Sequence, residues 1–130
     1  MLFFWVAVGG LFGSMARYGV AQWVQQLLQH RPAGAFPWAT LLINVTGCAA
    51  IGALVPWFDR MGTPQELRVA VLIGFLGAYT TWSTFSFETL GLIKFGDLPC
   101  AIAYILSTNV GCFLAVWAAN HAMSRLLARS

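Results

Sequence analysis

The chain reads as long apolar blocks separated by short polar breaks. The first block covers about 2–28 and turns polar in its C-terminal part, at Gln22, Gln25, Gln26 and Gln29. A loop over 30–37 follows, broken by Pro32, Gly34 and Pro37. The second block runs over about 38–58 and gives way to Asp59, Arg60, Gly62, Pro64 and Glu66, which is turn chemistry at a membrane surface. The third covers about 67–95 and stops at Gly96, Asp97 and Pro99. The fourth covers about 100–127 and ends with Arg125 and Arg129, long cations able to reach an interface. A bilayer core takes about 20 apolar residues per helix. The pattern therefore predicts an all-α integral membrane protein with four transmembrane helices, residues 1–130 forming one transmembrane domain with no soluble domain attached.

The third block is unlike the others. Residues 74–88 read GFLGAYTTWSTFSFE: Gly74 and Gly77 are followed by Thr80, Thr81, Ser83, Thr84 and Ser86, with Trp82 and Phe85 among them. Glycine and clustered hydroxyls are poor material for a continuous helix. Inside a membrane, broken helix survives only where protein buries it or where it lines a wet cavity. A third helix broken mid-membrane is the expectation, and in so small a chain it points to an ion site or an ion path.

Composition narrows the class. Charged side chains make up 8% of the 130 residues and apolar ones 59%, against roughly 25% charged in soluble domains. The first apolar run has no basic n-region and no A-x-A-like cleavage site, so it reads as a first span and not as a cleaved signal peptide. A net charge of +3, scattered along the chain, gives no surface for nucleic acid. Cys48, Cys100 and Cys112 show no C-x-x-C spacing and read as small core residues. His30 and His121 are far apart, and no Ser–His–Asp or HxxxH pattern occurs, which argues against an enzyme.

Charge also bears on orientation. Four spans put both termini on one side, with Arg60, Arg68, Arg125 and Arg129; the other side holds Arg31 and Lys94, plus Arg17 if it counts with the loop. The positive-inside rule favours cytoplasmic termini, but by a small margin. A chain with so small a bias can insert both ways, and two oppositely inserted copies can pair as an antiparallel dimer.

Several positions carry candidate chemistry, each beside an ordinary alternative. Gly9, Gly10 and Gly13 give G-x-x-x-G spacing, which lets a neighbouring helix approach closely. Arg17 either snorkels at the membrane edge or faces an aqueous vestibule, where a cation attracts anions. Asn44 needs partners for its amide in mid-membrane, either as glue between helices or as a donor on an ion path. Glu88 is the one acidic residue expected inside the membrane, a proton or cation site or else a hydrogen-bonded neutral acid. Tyr104, Thr108 and Cys112 recur at i, i+4, i+8 and share a face of the fourth helix. Trp82 and Phe85, three apart, fall on nearly one face if the helix has resumed, where they pack as aromatics or turn their positive ring edges to an anion. Donors from Asn44, Thr84 and Thr108 can replace an anion's lost hydration. Gly77 and Thr80 sit where a break frees backbone carbonyls, which suit a hard cation such as Na+.

Taken together, GGLFGSMARY in the first span, WATLLINVTGCAAIG in the second, GFLGAYTTWSTFSFE in the third and TNVGCFLAV in the fourth resemble the Fluc family, the small CrcB-type fluoride channels. The resemblance covers essentially the whole chain, and its third segment is highly specific. It implies a dual-topology, antiparallel homodimer in the cell (inner) membrane that exports fluoride passively and gives fluoride resistance. It implies two fluoride pores per dimer and a central structural Na+ held by backbone carbonyls, here of Gly77 and Thr80 from both copies. The pore aromatics match Trp82 and Phe85, the pore asparagine Asn44, and the polar track of the fourth span Tyr104, Thr108 and Cys112. Ser83, Thr84 and Glu88 lie close to that path, and Arg17 matches the vestibule arginine. Trp82 departs from the family's usual Phe, and Cys112 stands where a hydroxyl often sits.

Two other readings compete. A small four-span proton-coupled multidrug exporter needs an embedded carboxylate, typically in its first span, and here only Glu88 is available. A non-transporting assembly subunit would use the glycines for packing alone.

Overall fold

The computed structural model describes residues 1–28 and 36–129. Most of the loop expected over 30–37, with Arg31, lies outside the described residues. Everything regular that is described is helical: α1 (Leu2–Leu27), α2 (Trp38–Met61), α3 (Gln65–Arg68), a π-helical segment (Val69–Phe75), α4 (Leu76–Tyr79), α5 (Trp82–Lys94) and α6 (Leu98–Arg129). Three stretches, Trp38–Met61, Gln65–Lys94 and Leu98–Arg129, are long and apolar enough to cross a membrane. At 26 residues α1 also has the length, but its glycines, Arg17 and glutamines dilute its hydropathy.

The packing follows an up-and-down order. Gly9 and Gly13 of α1 lie against the backbone of Ala70 and Phe75, so α1 runs parallel to the first half of the third span. A Cβ at either glycine would collide with those carbonyls. Gly74 returns the contact, its own α-carbon facing Val6, Gly9 and Gly10. These backbone-to-backbone contacts hold the π-helical turns, a conformation that is rare and frequent near functional sites.

On the other side, α2 and α6 pack in parallel: Phe36, just before α2, meets Tyr104 edge-on at 5.4 Å, Gly111 faces Val45, and Gly52 lies against the Val116 backbone. The close glycine contacts let the two helices approach until their backbones nearly touch. The best-buried apolar cluster joins α5 to α6 through Phe85, Leu92, Ala101 and Tyr104, with Phe36 and Leu41 packed on it.

Most of the outer surface is apolar: Phe3, Phe87, Phe113, Trp117 and Leu126 are all exposed. Such a surface suits hydrocarbon and would be a liability in water. The charged ends are short. Gly62, with a positive φ of 60°, ends α2, and Arg68 at the start of the third span pairs with Asp59 at 2.6 Å.

Candidate functional site: a cavity at the break in the third span

Two residues make the break. Thr80 is extended, with ψ of 159°, and turns its N–H and its hydroxyl back onto the Leu76 carbonyl at 3.0 and 2.9 Å. Thr81 is extended as well, with φ of −149° and ψ of 113°, and caps α5. Its hydroxyl accepts from the Thr84 N–H at 3.3 Å and donates to the Thr84 hydroxyl at 2.9 Å, with Ser83 Oγ at 3.3 Å. A threonine cap of this kind satisfies one of the orphan donors of a helix start and is worth about 1 kcal/mol. The hydroxyls that make 80–84 a poor continuous helix thus make it a good helix start.

Asn44 anchors the break from α2. Its side-chain amide donates to the Thr81 carbonyl at 3.1 Å, and its Oδ1 accepts the Thr81 N–H at 2.9 Å. Both residues are buried. One amide hydrogen of Asn44 is left for another acceptor.

A cavity of about 240 Å³ opens where these elements meet, lined by Asn44, Cys48, Thr81, Trp82, Thr108 and Cys112 among others. The Thr108 hydroxyl oxygen is buried at its wall and has no hydrogen-bond partner among the described residues. Buried hydroxyls are nearly always paired, so this one is open to a partner from the cavity. The N-terminus of α5 also points here, and a helix start favours negative charge. Trp82 and Asn109 line a second, more open cavity of about 360 Å³ that runs along Phe85, Ser86 and Thr89. The two cavities therefore share walls.

The aromatic pair splits in environment. Trp82 and Phe85 touch, with ring centroids 4.9 Å apart at 46°. Phe85 is 5% exposed and packs on Tyr104 at 5.1 Å, while Trp82 is 67% exposed in the single chain. Tyr104, Thr108 and Cys112 do lie along one face of α6, the first two buried and Cys112 half-buried. Beyond Phe85, Glu88 is gripped by two donors: the Thr40 hydroxyl at 3.0 Å and the Tyr104 hydroxyl at 2.7 Å. Ser83 and Thr84 are exposed around the cap. Arg17 stays apart, half-buried on α1, away from these cavities and with no ion pair among the described residues.

Gly77 and Thr80 line a third cavity, of about 180 Å³, which shares Cys48 and Thr80 with the first. Thr81 gives its N–H to Asn44 and Thr84 gives its N–H to Thr81, so the carbonyls of Gly77 and Thr80 lose their helical partners. Neither carbonyl accepts a hydrogen bond from any described residue. Gly77 has open space where a side chain would stand. The donor set is hard oxygen with no carboxylate, and the described residues hold no cluster of His, Cys, Asp and Glu for a transition metal. These residues fit an alkali cation such as Na+.

Contributors that escaped the reading of the sequence include Thr81 and Thr40, and Cys48 and Asn109 on the cavity wall. For Thr81 the signal was its place three residues before Thr84 at a helix start. For Thr40 it was the i, i+4, i+8 stripe Thr40, Asn44, Cys48 on α2, the counterpart of Tyr104, Thr108, Cys112 on α6.

Comparison with known proteins finds relatives along nearly the whole chain. The family model described as CrcB-like protein, Camphor Resistance (CrcB), matches residues 4–120. The chain is 40% identical over 129 residues to the "Fluoride-specific ion channel FluC" of Acidobacterium capsulatum, covering 98% of this chain and 100% of that one. It is 41% identical to the protein of the same name from Rhizobium meliloti, over 87% of this chain and 88% of that one. For the protein of that name from Magnetococcus marinus the identity is 42%, over 87% and 89%.

Proposed function

The chain belongs to the CrcB-like family, and on that premise we propose that it is a fluoride-selective channel that lets F− leave the cytoplasm passively, giving fluoride resistance. The observation that carries the reading is the unpartnered, buried Thr108 hydroxyl, facing the same cavity as Asn44 and the start of α5. Fluoride holds its hydration tightly, so a path through the membrane has to supply hydrogen-bond donors in place of water. Thr108, the spare amide hydrogen of Asn44 and the α5 start are such donors. Phe85, seated between Trp82 and Tyr104, offers ring edges to an anion between the two cavities. Chloride, larger and less strongly bound by hydrogen bonds, gains less from the same donors. Ser83, Thr84, Cys112 and the Thr40–Glu88–Tyr104 group line or support this path, whereas Arg17, away from these cavities, acts on anions only through its long-range charge. No catalytic step is involved.

The working unit in this reading is an antiparallel homodimer with two pores, embedded in the cell (inner) membrane with α1 as a fourth span. The small charge bias permits both insertions, and the exposed Trp82 and Gly77 leave faces for a second copy to cover. The carbonyls of Gly77 and Thr80 from both copies would hold a Na+ at the centre; a bound Na+ supplies positive charge that ties the two breaks together.

The test is efflux from liposomes reconstituted with the purified protein, read by a fluoride electrode with chloride release in parallel. Rapid fluoride loss without chloride loss is expected. No fluoride loss from correctly assembled protein would overturn the reading.

A further inference from the structure

The α2–α6 seam keeps one register over its length. Thr40 and Tyr104 bind the same Glu88 carboxylate, Asn44 and Thr108 line the same cavity, and Gly52 lies against Val116. The same sequence offset separates each pair, and it also separates Cys48 from Cys112. These two thiols sit one helical turn from Asn44 and Thr108, and one turn before the glycine contact that draws the helices together. Both line the same cavity, at matching positions on the two facing helices. Both are free. Cys100, the remaining cysteine, packs instead against the buried cluster of Phe85, Leu92, Ala101 and Tyr104.

We propose that Cys48 and Cys112 form a two-thiol site for a soft monovalent cation of the Cu+ or Ag+ class within this cavity. Sulfur ligands select soft d10 cations over Na+ or Mg2+. Such ions accept two ligands in a line, so a pair of thiols suffices where zinc would need four ligands. The unpartnered Thr108 hydroxyl beside the pair is open to a partner from the cavity. On binding, one thiol gives its proton to water and the other keeps its own. The product is a thiolate–cation–thiol bridge with no net charge, the form a low-dielectric site favours. Nothing is oxidised. The bridge would stand across the cavity next to Thr108, and in the fluoride-channel reading it would close the path.

The experiment uses the purified full-length protein, incubated with Ag+ in chloride-free buffer, desalted, and assayed for silver per chain by elemental mass spectrometry. One Ag+ per chain is expected for the parent and for Cys100→Ser, and none above background for Cys48→Ser or Cys112→Ser. Cys48→Ala and Cys112→Ala replace any serine variant that does not elute as folded protein. No retained silver in the parent, or equal silver in the Cys48 and Cys112 variants, overturns the site. Fluoride efflux is measured on the same silver-loaded samples. Silver retained at the pair with efflux unchanged upholds the site and counts against this cavity as the fluoride path. Silver absent with fluoride efflux intact removes the site and leaves the channel reading standing.

Discussion

Asn44 and Thr81 exchange a closed pair of hydrogen bonds across the α2–α5 boundary, the amide N–H giving to the Thr81 carbonyl at 3.1 Å and the Thr81 N–H to Oδ1 at 2.9 Å. An asparagine here does for the interrupted backbone what a neighbouring strand does for a sheet edge. It satisfies a donor and an acceptor that hydrocarbon would leave bare. The interruption then persists as a fixed feature and does not anneal into continuous helix.

Replacing Asn44 by Ala removes both partners at once. Each buried group left bare costs about 1–3 kcal/mol, so about 2–6 kcal/mol of stability should be lost. Thermal unfolding in detergent should show a large fall in melting temperature, and fluoride efflux should fall with it. A melting temperature within about 2 °C of the parent would mean that the pair does not hold the break, since 1 kcal/mol alone moves a domain of this size by several degrees.

Phe85 tests the path apart from the fold. It is buried against Tyr104, yet its ring also borders the opening beside Trp82. Phe85→Ile keeps an apolar side chain of smaller size, at a stability cost of about 1–3 kcal/mol, and loses the ring edge. Efflux should drop by at least about tenfold, equivalent to 1.4 kcal/mol in the barrier, while the protein elutes as the parent does. Unchanged efflux would refute the ring's role.

The carbonyls of Gly77 and Thr80 give a prediction about ions and not about side chains. If they hold Na+, folded protein is stabilised by cation binding, by about 2.7 kcal/mol when Na+ stands at 100 times its dissociation constant. Exchanging Na+ for N-methylglucamine at constant ionic strength should lower the melting temperature, and K+ should restore it less well than Na+. A melting temperature indifferent to Na+ would remove the cation from this place.

What could be read in advance followed local chemistry. Apolar blocks of membrane length, the glycine and hydroxyl content of 74–88, and the face shared by Tyr104, Thr108 and Cys112 are properties of neighbouring residues, and they are visible in a string of letters. The π-helical turns over Val69–Phe75 were not visible there. They lie against the backbone at Gly9 and Gly13, more than fifty positions away, and no local propensity announces them. Thr40 was missed for a similar reason: a threonine in an apolar helix looks ordinary until Glu88 and Tyr104 are brought to it. The differing environments of Trp82 and Phe85 also depend on α6, which covers one ring and leaves the other open.

The glycines of α1 separate close packing from helix propensity within one helix. Gly13 has the Phe75 backbone where a Cβ would stand, whereas Gly19 has nothing within 4 Å. Alanine is a better helix former than glycine by about 1 kcal/mol, so Gly19→Ala should hold or raise the melting temperature. At Gly13 the same substitution must push α1 away from the π-helical turns, and overpacking of this kind costs about 1–3 kcal/mol. The displaced segment leads directly into α4 and Thr80, so the shift should reach the carbonyls of the break. Gly13→Ala is therefore expected to lower the melting temperature and to weaken its dependence on Na+, with Gly19→Ala altering neither downward. Equal behaviour of the two variants would mean that the α1 contact does not set the geometry of the break.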